Sequence, residues 1–128
     1  MTYHFSKTLN LPMDAAVAKV TEALKQEGFG ILTEIDVQKT LKAKIDVDFR
    51  PYRILGACNP GFAHKALLAE DKIGTMLPCN VIVQEKAPGT VEVSAVDPIE
   101  SMKAIENPAL GSIATEVRAK LQRVIEQL

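Results

Sequence analysis

The sequence predicts an α+β fold in which a single mixed sheet of about five strands has helices packed on it. Two patterns support this class: short segments of alternating polarity typical of strands, and longer segments with apolar residues three and four positions apart. The third observation is length, because a chain of 128 residues can form one core without a metal or disulfides. We therefore predict a single domain over residues 1–128, with elements in the order β-α-β-α-β-α-β-β-α.

The first half of the chain is predicted to alternate strands with helices. Residues 2–9 alternate as a first strand, and Pro12 opens a helix that ends near Gly28, since glycine tolerates a left-handed conformation. The apolar face of this helix comprises Met13, Val17, Val20 and Leu24. Residues 31–35 follow as a second strand, and Asp36 caps a short second helix. That short helix has Val37, Leu41 and Ile45 on one face.

The second half is predicted to contain three further strands. Residues 52–57 form the third strand and residues 60–70 the third helix. Residues 80–85 and 91–96 form two strands joined by a turn at Pro88-Gly89, a hairpin signal. The long terminal helix after Pro108 has a buried stripe of Leu110, Ile113, Val117, Leu121, Val124 and Leu128. Strands that a helix joins in parallel are expected to have right-handed crossovers.

Charge and composition restrict the partners of this chain. The net charge is −1 with a pI of about 6.1, so a broad basic face for nucleic acid is excluded. No apolar run approaches the roughly 20 residues that span a bilayer, which predicts no membrane partner. Residues 1–5 lack the features of a secretory signal, and the two cysteines are expected to be free thiols. These observations favour the cytoplasm.

Cys58 is the first candidate for chemistry. The favoured helix cap Asn59 and the favoured first helical residue Pro60 follow it, so Cys58 faces a helix N-terminus, which favours a thiolate. His64 lies one turn into that helix, and its imidazole is expected to lean back toward Cys58, as in activated thiols. The alternative is that Cys58 is a small buried apolar residue and His64 a surface residue.

Cys79 lies at a second strand boundary, and its distance from Cys58 depends on the topology. A return of the chain through residues 71–77 would begin a strand antiparallel to the third, so that both thiols share one end of the sheet. A parallel crossover would separate them by about 15–20 Å. In the first case Cys58, Cys79 and His64 could supply three metal ligands. Without closely spaced cysteines we predict no metal site, the alternative being two buried structural thiols, and the cofactor is left open.

A small anionic ligand is a further possibility. Arginine grips carboxylates and phosphates with paired hydrogen bonds, and the helix at Pro60 adds an anion-attracting N-terminus. The ligand-binding candidates are Arg50, Tyr52, Asn59 and Asn80. Nearby cations that could contribute are Lys39, Lys42, Lys44 and Arg53. Strand alternation places Arg53 on the face opposite Tyr52. In the alternative interpretation the lysines line a solvated helix face and the arginines pair with nearby acids.

Two cysteine-bearing segments, residues 50–60 (RPYRILGACNP) and 73–81 (IGTMLPCNV), resemble the bacterial and archaeal family known as domain of unknown function 302. The resemblance covers almost the whole chain. It implies a compact α+β domain and a homodimer, but no activity, substrate or cofactor. It directs attention, without assigning roles, to Cys58, Asn59, Pro60, Pro78, Cys79 and Asn80.

Two hypotheses from different classes result. The first is a ligand-binding or interaction domain, homodimeric and without an assembled catalytic set. The alternative is a thiol-dependent protein for redox chemistry, sulfur transfer or metal handling, using Cys58 and Cys79 with His64. Whether the protein is an enzyme is left open.

Overall fold

The computed structural model of the chain describes residues 2–128. Its strands are β1 (His4–Leu9), β2 (Gly30–Asp36), β3 (Tyr52–Cys58), β4 (Cys79–Ala87) and β5 (Thr90–Val96). Its helices are α1 (Met13–Gln26), α2 (Val37–Ile45), α3 (Pro60–Ala69), α4 (Pro98–Ser101) and α5 (Pro108–Glu126), with a 3-10 turn at Ile73–Met76. The predicted element order is confirmed, and the short α4 adds to it.

The five strands form one sheet in the order β1-β5-β4-β3-β2. The α+β class with helices packed on a five-stranded sheet is confirmed. The pairing differs from the expected mixed sheet, because every pair of neighbouring strands within residues 2–128 is antiparallel. The strands joined by α1 lie at opposite edges, while α2 and α3 each turn the chain back beside the strand it has left. Parallel neighbours do not arise within residues 2–128, although β1 and β2, which α1 joins across the sheet, run parallel to each other.

One face of the sheet packs against α1 and α5 in a single aliphatic core. The buried strand residues alternate along the chain: Leu55, Ala57, Val81, Val83, Val91, Val93 and Ala95. They meet Val20 and Leu24 of α1 and Leu121 and Val124 of α5, as the apolar stripes predict. Each fully buried Val or Leu contributes about 1.5–3 kcal/mol relative to an exposed one, so this layer holds the sheet and both long helices together.

Helix α3 packs mainly against α5, and its Phe62 also contacts the core at the sheet end. Ala66 of α3 forms a small buried cluster with Ile73 and Leu110. At the start of α5, the Asn107 Oδ1 atom accepts from the Ala109 N–H at 3.1 Å, which caps the helix. Nδ2 of the same residue donates to the carbonyl oxygen that ends α3, at 2.8 Å. The two helices are thereby tied together at one end of the sheet.

Helix α2 and the segment that returns from it extend from the opposite end of the sheet. Asp36 caps α2 as predicted, accepting from the Lys39 N–H at 3.0 Å. The returning residues 46–51 run beside the helix, where Gln38 Nε2 donates to the Phe49 carbonyl at 3.0 Å. Every residue of α2 is at least partly exposed, and Ile45 is 63% exposed. We call residues 37–51 the α2 arm.

Candidate functional site

The two cysteines lie at the same end of the sheet. Cys58 ends β3 and Cys79 begins β4, and Ala57 is the direct register partner of Cys79 in the antiparallel pair. Of the two topologies left open by the sequence, the structure has the one in which α3 leads away and the 3-10 turn returns the chain. Both thiols are free; Cys58 is half-buried and Cys79 is buried.

Beside the cysteines, a cavity of about 300 Å³ lies between α3, α5 and the ends of β3 and β4. Its wall includes both cysteines and the amide of Asn59; the described residues that line it are uncharged and almost wholly apolar. The larger apolar lining residues include Phe29, Phe62, Leu77, Met102, Leu110 and Ile113. An apolar cavity of about 150 Å³ holds a benzene molecule, so this one accommodates about two aromatic rings.

Short side chains account for this volume. Ala57, Ala63, Ala66 and Ala114 all line the cavity, from β3, α3 and α5. Because an alanine leaves space where a longer side chain would fill the gap between helix and sheet, α3 and α5 approach closely while the interior beside them stays open. The same helix α3 carries Leu67 at the edge of the cavity, 44% exposed, and Leu68 on its outer side, 76% exposed.

The Cys79 thiol is held in its neutral form. Burial raises its pKa from 9.0 to about 11, and the charge of a nearby Cys58 thiolate adds a smaller effect in the same direction. At neutral pH Cys79 is therefore a protonated thiol that acts as a small, weakly polar part of the cavity wall. The thiolate is the reactive form, so burial makes Cys79 a poor nucleophile.

His64 is not among the residues that line the cavity. It is an exposed residue of α3, whereas the cavity is lined by its neighbours Phe62, Ala63 and Ala66. The packing of those neighbours against the sheet end and α5 sets the rotation of α3 and turns the imidazole toward solvent. Within residues 2–128, no three His, Cys, Asp or Glu side chains stand close enough to hold a metal ion together. The cavity wall thus includes both cysteines but not His64, whose role stays a prediction.

Asn59 precedes α3, and Pro60 occupies the first turn, as predicted. The Asn59 side chain does not form the expected capping hydrogen bond. Instead, its Nδ2 atom donates to the carbonyl oxygen of Glu27 at 3.4 Å. A Cβ atom built on Gly28 would lie 3.0 Å from that Nδ2 atom, so the glycine allows this close approach. Asn59 therefore links the end of α1 to the cavity wall. It is also the main polar group of that wall.

The other ligand-binding candidates lie across the sheet from the cavity. Tyr52 and Asn80 line a second concavity of about 400 Å³, together with Gln84 and Glu92. Arg50 Nε donates to Gln84 Oε1 at 2.9 Å, and its guanidinium lies 5.6 Å from the centre of the Tyr52 ring. The four candidates are therefore divided: Asn59 belongs to the cavity, and the other three belong to the opposite face.

The remaining cations are paired with acids or solvated. Arg53 Nη2 lies 3.2 Å from Asp14 Oδ1, and its Nη1 lies 3.9 Å from Glu34 Oε2. Lys42 Nζ pairs with Asp46 at 2.9 Å and with a second aspartate, while the other lysines of α2 are exposed. These contacts match the alternative interpretation of the basic residues. The small anionic ligand stays a prediction, with no convergent group of cations to support it.

Sequence reasoning missed the cavity. The apolar pattern assigns Leu110 and Ile113 to the buried stripe of α5, and it places Phe29 only in the segment that ends α1. The available signal was α3 itself, whose sequence PGFAHKALLA is apolar nearly all round, as in a helix with contacts on several sides.

The fold and the cavity define a class of small α+β domain with an antiparallel sheet, two long helices on one face and an apolar chamber at the sheet end. Residues 5–128 match the family described as domain of unknown function DUF302, and the chain belongs to that family. The resemblance of its two cysteine-bearing segments to this family is thereby confirmed.

A solved structure has the same fold. It is the crystal structure of an uncharacterized conserved protein DUF302 from Bacillus stearothermophilus, 30% identical in sequence, with a TM-score of 0.90. The similarity covers 99% of this chain and 98% of that one. Among curated proteins, none matches. In addition, no helix within residues 2–128 is long and apolar enough to cross a membrane.

Proposed function

We propose that this protein binds a small apolar molecule in the cavity between α3, α5 and the ends of β3 and β4. The observation that carries this proposal is the cavity itself: about 300 Å³ of space with an uncharged, nearly apolar wall. Ligand sites are typically concave, mostly apolar and provided with a few polar groups, and 300 Å³ is the lower end of their size range. Asn59 and the two thiols are the polar groups here.

Size and polarity define the class of ligand. Twice the volume of a cavity that holds benzene corresponds to about 12 non-hydrogen atoms, such as a two-ring aromatic compound. A charged molecule is excluded from this site, because burying a charge without a partner costs several kcal/mol. The expected ligand is neutral, with at most one or two polar groups directed at Asn59.

Cavity filling tests this proposal. Naphthalene is a suitable probe, and bound ligand raises the midpoint of thermal unfolding according to its affinity. Ala114, which is 5% exposed and lines the cavity, is replaced by leucine to occupy the space. The matched control is Ala119→Leu, on the exposed side of the same helix. We expect naphthalene to stabilise the wild type and Ala119→Leu but not Ala114→Leu; equal responses, or none, would refute the proposal.

Self-association is part of the proposal, and the α2 arm is the observation that favours it. An isolated helix shorter than about 12 residues is marginal in water, and helices are stabilised mainly by packing of an apolar face. Helix α2 has nine residues, each at least partly exposed. Ile45 and Val47 of the arm are 63% and 41% exposed. A homodimer would give this region a packing partner.

The thiol-dependent alternative is favoured by one observation, namely that Cys58 and Cys79 share the wall of the same cavity. Redox chemistry, sulfur transfer and metal handling all need an ionised thiol, and burial opposes this at Cys79. Cys58 would therefore be the reactive residue. Two free thiols also support the proposed cytoplasmic location, since reducing compartments keep cysteines unbridged.

Alkylation against pH, read separately at each cysteine by mass spectrometry, tests the alternative. A Cys58 rate that levels off well below the free-thiol pKa of about 8.5 would support it. His64→Ala should then leave the profile unchanged, because the exposed imidazole faces away from the cavity wall. A Cys58 rate that still rises above pH 9 would remove the alternative.

A further inference from the structure

Strands β3 and β4 each place an isoleucine on the side away from the core. Leu55 and Val81 point into the core, while Ile54 and Ile82, which alternate with them, point to the other side and are register partners. An antiparallel sheet commonly has one side in water, where polar side chains are usual rather than isoleucines. Within residues 2–128, α1 and α5 cover only the core side. The second side is therefore free to contact another molecule.

We call that second side the open face. Its central row, given by the strand registers, is Ser6, Ser94, Ile82, Ile54 and Ile35. One flanking row is Thr8, Glu92, Gln84 and Tyr52, and the other is His4, Val96, Asn80, Gly56 and Thr33. Ile54 and Ile82 are partly exposed, and Ile35 is 47% exposed. An apolar centre with a polar rim is the usual anatomy of a protein interface.

Two opposite charges lie on the open face, on either side of β4. Glu92 belongs to β5, and Arg50 lies in the segment that leads into β3. Gln84 lies between them, accepting from Arg50 at 2.9 Å and donating to Glu92 at 3.4 Å. These hydrogen bonds hold the three side chains at one level along the strands, so one cation and one anion lie on either side of β4 beside Gln84.

We propose that a second copy of this chain covers the open face, related by a two-fold axis parallel to β4. Such a rotation exchanges the positions of β3 and β5, which flank β4 in the sheet. Glu92 of each copy then lies opposite Arg50 of the partner subunit, twice in the dimer. The proposal rests on the self-association proposed above, but it places the contact on the open face rather than on the α2 arm and adds an axis and charge pairs.

Self-complementarity is what favours a second copy over another protein. The open face carries one cation and one anion, so its charges cancel. It therefore offers no net charge to attract a strongly charged partner. The whole chain has a net charge of −1, so two copies repel each other only weakly. In a two-fold dimer the same patch of each copy meets itself, so the patch must be complementary to itself. A cation on one side of β4 and an anion on the other side make it so.

The size of the open face determines how tight the dimer is. Five strands at their usual spacing, and about six residues along each, cover about 24 Å by 20 Å, or about 480 Å² per copy. Specific interfaces bury about 800 Å² per partner, and weak reversible ones less than about 600 Å². We therefore expect a reversible dimer with a dissociation constant in the micromolar range or weaker.

Sedimentation velocity over a range of concentrations tests the surface. Ile82→Asp places a charge at the apolar centre of the open face and should weaken the dimer by at least about a hundredfold. The control is Leu68→Asp, because Leu68 is 76% exposed on α3, away from the open face. Circular dichroism confirms that both variants are folded. A dimer lost in Leu68→Asp but kept in Ile82→Asp would overturn the proposed surface.

Charge exchange tests the axis. In its homodimer, Arg50→Glu alone sets the introduced glutamate against Glu92 of the partner subunit. Glu92→Lys alone sets the introduced lysine against Arg50, so each variant should dimerise about tenfold more weakly or worse. An equimolar mixture of the two variants restores an opposite-charge contact in the heterodimer, an effect that contacts within one chain cannot produce. Recovery of dimer in the mixture is the expected result.

The outcomes separate the two proposals. A wild-type chain that stays monomeric at millimolar concentration overturns the self-association and this arrangement together. A wild-type dimer whose two charge variants do not recover on mixing overturns the arrangement alone. Neither outcome affects the proposed ligand site, because the cavity that would bind naphthalene lies between α3 and α5, away from the open face.

Discussion

The buried Cys79 thiol should make the stability of the protein depend on pH in alkaline solution. Its pKa is raised from 9.0 to about 11, mainly because burial penalises the charged thiolate. A thiol whose pKa is higher in the folded than in the unfolded state favours folding as long as it is protonated. This contribution is complete below pH 9 and is lost as the pH rises through 11.

The magnitude follows from the shift. Each pKa unit corresponds to 1.36 kcal/mol, so a rise from 9.0 to about 11 is equivalent to about 2–3 kcal/mol of unfolding free energy. Cys79 is 9% exposed, which limits the screening of the thiolate by solvent. That amount is a large fraction of the stability of a domain of this size, for which 5–15 kcal/mol is typical.

Urea unfolding at a series of pH values measures the effect. Lysines and tyrosines also titrate between pH 9 and 11, so the informative quantity is the difference between the wild type and Cys79→Ala. We expect this difference to be constant from pH 7 to 8.5 and to shrink by about 2–3 kcal/mol toward pH 11. Parallel curves for the two proteins across that range would refute the assignment of a buried, neutral thiol.

Two further predictions concern the fold. Gly56→Ala should lower the free energy of unfolding by about 1–3 kcal/mol, because its Cβ would overlap Thr33 Oγ1 and lie 2.8 Å from Pro78 Cγ. Gly111→Ala, in a helix and with open space around it, is the control and should raise stability by about 0.5–1 kcal/mol. Asp97→Ala should cost about 2 kcal/mol in urea unfolding, because that buried carboxylate both caps α4 and pairs with an arginine of α5. Asp97→Asn keeps the cap but removes the charge, so it should recover only part of this loss; full recovery would argue against a role for the ion pair.

Much of the fold could be predicted, because the residues that the apolar periodicity assigns to buried faces are the ones that pack in the core. The stripes of α1 and α5 are long and periodic, and the core residues Val20, Leu24, Leu121 and Val124 follow from them. Strand direction could not be predicted in this way. A helix between two strands is compatible with a parallel crossover or with a return, and in this chain the 3-10 turn at Ile73–Met76 completes the return.

The site was predictable only in part. The sequence indicated that Cys58 and Cys79 stand at strand ends, and their proximity then depended on a topology that the sequence left open. The position of His64 could not be derived, because spacing along a helix gives the relative directions of side chains but not the rotation of the helix. That rotation is set by the contacts of Phe62 and Ala66, which belong to the tertiary structure.

The cavity is the central claim, and intermolecular nuclear Overhauser effects between naphthalene and the protein methyl groups test it most directly. We predict contacts from naphthalene protons to the methyl groups of Leu110 and Ile113, which line the cavity. Ile82, on the opposite face of the sheet, should show none and serves as the internal control. Contacts to Ile82 alone, or none to any methyl group at saturating naphthalene, would contradict the proposed ligand site.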